Sequence, residues 1–146
     1  MGFCSTREDR LMGTAGGVRR VADRFDETFV VVVGDTLTDI NVREIVAFYR
    51  EREALATLAL VRGSDTAQHG VAELNPERDV LALQEKPDSE EAISTLADPG
   101  VYVLEPAVLE YVPENSFSDF ARIVVPHLLG GQGARRGQGE CAPWTT

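Results

Sequence analysis

Lysine is all but missing from this chain of 146 residues: of 14 basic side chains only Lys86 is a lysine, and the rest are arginines. A compact ammonium does chemistry that a planar guanidinium does not reproduce, so the lone lysine stands out. Histidine is scarce as well, and neither His69 nor His127 has partners at triad or metal-ligand spacing. Cys4 and Cys141 lie near opposite ends with no CxxC pair, which excludes a zinc site and leaves both a structural or incidental role. No apolar run approaches the roughly 18 to 20 residues that a membrane-spanning helix needs, and residues 1–10 lack the apolar stretch of a signal peptide. No membrane is therefore expected as a partner, and the cytoplasm is the default location. Positive charge is in deficit too. A net charge of −10 repels phosphate backbones at long range, so nucleic acid is not an expected partner.

What is present fits one globular domain, with 43% apolar residues. Val18, Val21, Ala22 and Phe25 recur at helical spacing, which predicts a helix over 14–25 entered through the glycine-rich segment 12–17. The unbroken β-branched and aromatic run 28–33 predicts a strand covered on both faces, as in a parallel α/β sheet. Asn41 and Glu44 fit a helix start, and Val42, Ile45, Val46 and Tyr49 form one apolar face, so a helix should run to about Glu53. Residues 54–61 read as the next buried strand; the strand, helix, strand unit predicts a right-handed crossover and parallel pairing. Two short strands, 71–74 and 80–84, flank a turn-rich segment and predict a hairpin. Segment 88–96 is polar and reads as a further helical stretch, followed by a strand over 100–104 and a short helix over 105–111 with Pro106 in its first turn. Ser118 is expected to cap a last helix carrying Phe120, Ile123, Val124 and Leu128, kinked at Pro126. Beyond Leu129 no apolar period survives and five of the 13 glycines gather, which predicts a tail that is disordered or outside the fold.

Three places carry residues suited to chemistry. Asp35 follows the run 28–33, at the strand edge where open α/β sheets bind ligands. A carboxylate there can hold magnesium against a phosphate oxygen, or simply cap a turn. Asp39 reads as a turn residue, and the spacing between the two is not D-x-D. Gly13-Thr14-Ala15-Gly16-Gly17 opens a helix whose exposed N–H groups attract anions or meet a nucleobase. It is no Walker A loop, having no Lys-Ser/Thr at the right offset, and alone it also fits a plain tight turn. Glu85-Lys86-Pro87 sets a carboxylate, an ammonium and a stiff turn at a strand end, able to hold sugar hydroxyls and an adjacent phosphate together. By itself the Glu-Lys pair is equally an exposed ion pair worth little.

Taken in order, Leu11 to Gly17, Val33-Gly34-Asp35, Thr38-Asp39-Ile40, His69-Gly70-Val71, Glu85-Lys86-Pro87 and Gly100 to Pro106 resemble the landmarks of the sugar-phosphate nucleotidyltransferases. Resemblance covers about 11–129 and is nearest to the mannose-1-phosphate guanylyltransferase and glucose-1-phosphate thymidylyltransferase branches. It implies an α/β, Rossmann-like fold of the nucleotide-diphospho-sugar transferase type, with a mixed sheet flanked by helices. It also implies transfer of a nucleotide from a nucleoside triphosphate to a sugar 1-phosphate, with magnesium and release of pyrophosphate. Gly13, Thr14, Ala15 and Gly16 would meet the nucleobase, and Gly34 and Asp35 the ribose and the metal. Gly70 would line the sugar site, Glu85 would take sugar hydroxyls and Lys86 the sugar phosphate.

Departures from the family pattern shape the expectation further. Residues 1–10 match neither the family's glycine-rich triphosphate loop nor its Pro-Lys-Pro element, and the final residues 141–146 hold no counterpart of its second metal-binding Asp. Asp98-Pro99-Gly100 replaces the usual Asn-Ala-Gly and adds a negative charge near the expected sugar site. The expected organisation is an unmatched segment 1–10, a partial catalytic domain 11–129 and a glycine-rich tail 130–146, truncated and impaired as a catalyst on its own. A non-catalytic binding or regulatory subunit, or an inactive truncated gene product, stays open as the alternative. A homo-oligomer or a partner completing the sheet also stays open.

Overall fold

Short apolar runs interspersed with helices lay down the sheet. The computed structural model, which describes residues 2–35, 39–52, 54–63, 69–88, 90–130 and 139–144, shows a seven-stranded mixed sheet with helices packed on it. Its strands are β1 (Phe29–Val32), β2 (Ala56–Arg62), β3 (Gly70–Leu74), β4 (Val80–Gln84), β5 (Leu96–Asp98), β6 (Val101–Leu104) and β7 (Gly139–Trp144). The α-helices are α1 (Gly13–Arg19), α2 (Val42–Arg52) and α3 (Val125–Gly130). Short 3-10 turns occupy Ala22–Arg24 and Pro106–Tyr111, and a π-helical turn, Phe120–Val124, leads into α3. Pro126 sits just past that wide turn. Its missing N–H and its ring are incompatible with regular α-helix before it, which accounts for the irregular entry. Among the described residues no helix is long and apolar enough to cross a membrane.

β2 is the axis of the sheet, with Ala56 to Leu60 all buried. On one edge it pairs in parallel with β7, and on the other it pairs antiparallel with β6 and then β5. Those two are one strand that breaks. Val61 faces Ala97 and Leu58 faces Tyr102, so three steps along β2 are matched by five along its partner. The extra residues form a bulge at Asp98 to Gly100, a device that bends a strand and ends regular pairing. Past the bulge the far edge divides: β6 pairs with β1, while β5 pairs with β3, whose other edge takes β4 as a hairpin. The end of β1 and the start of β3 therefore splay apart around the bulge, with the Val33 N–H donating to the Gly100 carbonyl at 2.9 Å.

Two apolar layers cover the sheet. On one face Ala56, Leu58, Leu60, Tyr102 and Leu104 pack with Phe120, Val124 and Leu128; on the other Ile45 of α2 packs with Ala59, Val101 and Val103. The start of α2 matches expectation. Asn41 Oδ1 accepts the Arg43 N–H at 3.2 Å while Asn41 Nδ2 donates to Glu44 Oε1 at 2.7 Å.

Several expectations are revised. β1 and β2 run the same way but do not pair, because β6 lies antiparallel between them. Nor is β1 covered on both faces: Val30 and Val32 are 39% and 53% exposed, and among the described residues its second edge is open. The first helix is shorter than 14–25, ending at Arg19 before the 3-10 turn and a stacked Phe25–Phe29 pair. Of the segment 88–96, residues 88 and 90–95 form turns and bends instead of a helix, and β5 begins at Leu96. Ser94 shows why: its hydroxyl donates to the Ala72 carbonyl and accepts the Leu96 N–H, bonds that compete with helix. Near the carboxyl end, where no apolar period was visible, 139–144 adds the parallel strand β7; residues 131–138 and 145–146 lie outside the described residues.

Gly100 has φ of +78°, and a Cβ there would stand 2.7 Å from Val33 Cγ2. Gly100→Ala therefore adds left-handed strain and a clash at the bulge, and is expected to lower unfolding free energy by about 2–3 kcal/mol. Urea denaturation measures this, and an unchanged midpoint would show that the bulge tolerates a side chain.

Candidate active site

The start of α1 needs partners for its first N–H groups, as every helix does. They come from a segment 105 residues further along the chain. Asp119 Oδ1 accepts from the Thr14 N–H at 3.0 Å and from the Thr14 hydroxyl at 3.3 Å. The Ser118 carbonyl accepts from the amides of Ala15 and Gly16 at 2.9 and 3.0 Å, and its own N–H returns to the Met12 carbonyl at 2.8 Å. Close approach requires the glycines: Gly13 has φ of +73°, and a Cβ on it would lie 2.5 Å from the Ser118 carbonyl oxygen. Two expectations change here. Ser118 does not cap the last helix, whose N-cap is Asp119 with its side chain turned to Thr14. The amides of residues 14–16 are also not free to receive an anion, because Ser118 and Asp119 already use them.

Where the sheet divides, a cavity of about 210 Å³ opens, lined by Thr14, Val33, His69, Gly70, Glu85, Lys86, Asp98, Pro99, Gly100, Tyr102, Asp119 and Ala121. It gathers Thr14, Gly70, Glu85 and Lys86, which the chain separates widely. Gly70 pairs directly with Asp98, and a Cβ on it would lie 3.4 Å from Glu85 Oε2, so the bare glycine leaves room for that carboxylate. Lys86 has φ of +43°, a left-handed conformation that costs a non-glycine residue about 1–2 kcal/mol. Strain of this kind gathers at functional sites. Gly34 and Asp35 lie just beyond Val33, exposed, and do not line the cavity. Ala15 and Gly16 are buried behind Thr14, and Thr36, Leu37 and Thr38 lie outside the described residues. A larger space of about 750 Å³, bordered by Arg10, Arg19 and Arg20, contains none of these candidates.

The functional-looking residue that sequence reasoning undervalued is Asp98, read only as an added negative charge. It is buried, 7% exposed, and lines the cavity. Its Oδ1 accepts the Gly100 N–H at 2.8 Å, and its Oδ2 accepts the Tyr102 hydroxyl at 2.7 Å. Burial raises its carboxyl to about 6; the bonds from Tyr102 and Gly100 pull the other way, Glu85 adds to the rise and His69 opposes it. Burial, and then the Asp98 charge, push the Tyr102 phenol well up. Tyr102 is itself packed on Phe120, with ring centroids 5.1 Å apart. The signal was present as Asp-x-Gly, since aspartate often bonds the backbone two residues on.

The model of the nucleotidyl transferase family matches residues 3–135. The chain belongs to that family. Among its relatives, a UTP–glucose-1-phosphate uridylyltransferase of Synechocystis sp. is 34% identical over 125 residues, covering 82% of this chain and 32% of that protein. A mannose-1-phosphate guanylyltransferase of Mycobacterium tuberculosis is 32% identical over 123 residues, covering 84% and 34%. The chain thus spans about a third of the length of these nucleotidyl transferases. Among solved structures, HddC from Yersinia pseudotuberculosis superposes with a TM-score of 0.69 at 18% identity, covering 93% of this chain and 55% of that one. A candidate glucose-1-phosphate thymidylyltransferase from Bacillus anthracis gives 0.73 at 23% identity, covering 94% and 55%. At such identities these two establish the shared fold: the mixed α/β sheet of this family.

Because the folded state holds the Asp98 proton more tightly than an unfolded chain does, the contribution of this group to stability is full below about pH 4 and is lost as pH rises through about 6. Asp98→Asn removes that loss. Relative to wild type, the variant should gain about 2–3 kcal/mol between pH 4 and pH 7.5, the equivalent of the shift. Urea titrations at both pH values test it; parallel stability curves would mean that the buried carboxylate is not destabilising when ionised.

Proposed function

We propose that this chain provides the sugar-phosphate side of a sugar-1-phosphate nucleotidyltransferase, acting on a hexose 1-phosphate and a nucleoside triphosphate. The observation that supports the reading best is the cavity at the divided sheet edge, where Gly70, Glu85, Lys86 and Thr14 converge. At about 210 Å³ it falls below the roughly 300–1,000 Å³ of sites that enclose larger ligands, so it suits one sugar phosphate with the nucleotide lying outside it. The family and the named activities of the relatives agree with the same chemistry.

In this proposal the Lys86 ammonium pairs with the sugar phosphate and the Glu85 carboxylate accepts sugar hydroxyls, both forming charge-assisted hydrogen bonds. The strained backbone at Lys86 and the following Pro87 hold the ammonium at the rim. Gly13 and Thr14, fixed by Ser118 and Asp119, present the accessible edge that meets the nucleobase, with Ala15 and Gly16 buried behind it, and Gly34 with Asp35 meets the ribose. A phosphate oxygen of the sugar attacks the α-phosphorus of the triphosphate; that P–O bond forms as the bond to the β-phosphate breaks, and pyrophosphate leaves. Holding the two reactants in line and offsetting their charge supplies most of the acceleration in such a step.

Among the described residues no group of three or more His, Cys, Asp or Glu side chains converges to hold a metal. Magnesium ordinarily needs only one or two carboxylates together with substrate phosphates, and the exposed carboxylate of Asp35 at the end of β1 fits that donor set. A bound magnesium ion would neutralise charge on the phosphate oxygens.

Calorimetric titration with glucose 1-phosphate and mannose 1-phosphate tests the reading. Lys86→Ala should weaken binding by about 1.5–3 kcal/mol, the range for a hydrogen bond to a charged group. Superimposable titrations of the two proteins would remove Lys86 from the phosphate site.

A further inference from the structure

We infer that Asp98 couples occupancy of the cavity to uptake of a proton, so that an anionic ligand binds more tightly when Asp98 is neutral. This rests on the cavity being the sugar-phosphate site. Its basis is the position of the carboxylate. Asp98 lies at the break between β5 and β6 and lines the cavity, yet among the described residues it receives hydrogen bonds only from Gly100 and Tyr102, both uncharged donors. Among the described residues it makes no ion pair. Its charge is therefore held on a buried side chain at the wall of a small, open cleft, without a cation bonded to it.

The charged and titratable groups that share the cavity with it come from four directions. Glu85 and Lys86 approach from the end of β4, His69 from the start of β3, Tyr102 from β6 and Asp119 from the turn before the last helix. Two are carboxylates, so the space already carries excess negative charge before any ligand arrives. A phosphate group drawn in by Lys86 adds more, and like charge in one site favours the neutral form of a carboxyl. Binding then strengthens the hold of Asp98 on its proton, and by reciprocity protonation strengthens binding. Burial has already brought this carboxyl to about 6, so the exchange falls at accessible pH. The sign follows: affinity attributable to Asp98 is greatest below about pH 6 and falls as pH rises through it.

The test is the affinity for glucose 1-phosphate, by calorimetry from pH 5 to pH 8, of wild type and Asp98→Asn. Asparagine has the shape of the neutral acid, and taking the ratio of the two dissociation constants cancels titration of the ligand's own phosphate and of His69. The ratio should lie near one at pH 5 and rise to about tenfold, wild type being weaker, at pH 8. Tyr102→Phe is the second variant. It removes the hydrogen bond that favours the ionised carboxyl, so the wild-type midpoint should move up by about one pH unit. A ratio independent of pH, or a midpoint that moves down in Tyr102→Phe, overturns the inference while leaving the sugar-phosphate site intact. No binding to wild type at any pH overturns both.

Discussion

The rest of the structure depends on the interruption of a single strand. If β5 and β6 were continuous, their far edge would take one partner and the sheet would close over the space that now holds the cavity. Instead Asp98 bonds Gly100 two residues on and Tyr102 beyond it, which pins the extra residues in place. The edge then serves two unrelated partners, β1 and β3. A divergence of neighbouring strands is where open α/β sheets leave a crevice for ligands. Here the crevice inherits whatever residues end β1 and β4 and begin β3, namely Val33, Glu85, Lys86, His69 and Gly70.

Stability is spent at this place and little is gained back locally. A non-glycine residue in the left-handed region costs about 1–2 kcal/mol, and an ionised carboxylate held above its ordinary range costs about 3 kcal/mol more. Against the 5–15 kcal/mol of a typical domain these are large fractions. What offsets them lies outside the cavity. One contribution is the layer around Leu58, Leu60, Leu104 and Phe120. Another is the set of bonds joining Met12 to Gly16 with Ser118 to Phe120. The second matters for position as well as for stability, since Thr14 and Asp119 form one wall of the cavity. A fold built only for stability would have no reason to keep Lys86 strained and Asp98 buried at one cavity.

Much of this was legible in the residues themselves. The apolar runs located β1, β2 and β6, Asn41 with Glu44 located the start of α2, and the turn chemistry of Asn75 to Asp79 located the β3–β4 hairpin. The grouping of Gly70, Glu85 and Lys86 was legible only through resemblance, because their convergence is a matter of register between strands far apart in the chain. Partner choice within the sheet was not legible. Nothing local in 28–33 or 54–61 says that β6 will insert antiparallel between them, since buried apolar strands pair either way. The role of Ser118 was misread for a related reason: its carbonyl, a group every residue has, serves α1, while the capping preference of its side chain pointed to the wrong helix. Asp98 was visible as a charge, but its hydrogen bonds depend on the bulge that it helps to form.

The central claim is that the divided sheet edge is the ligand site. The most direct measurement is a backbone amide chemical-shift titration of the full chain with glucose 1-phosphate. The account predicts that the largest changes fall at Gly70, Glu85, Lys86 and Gly100, with saturation at a common affinity. Changes confined to Arg10, Arg19 and Arg20, around the larger space at the other side of α1, would contradict it.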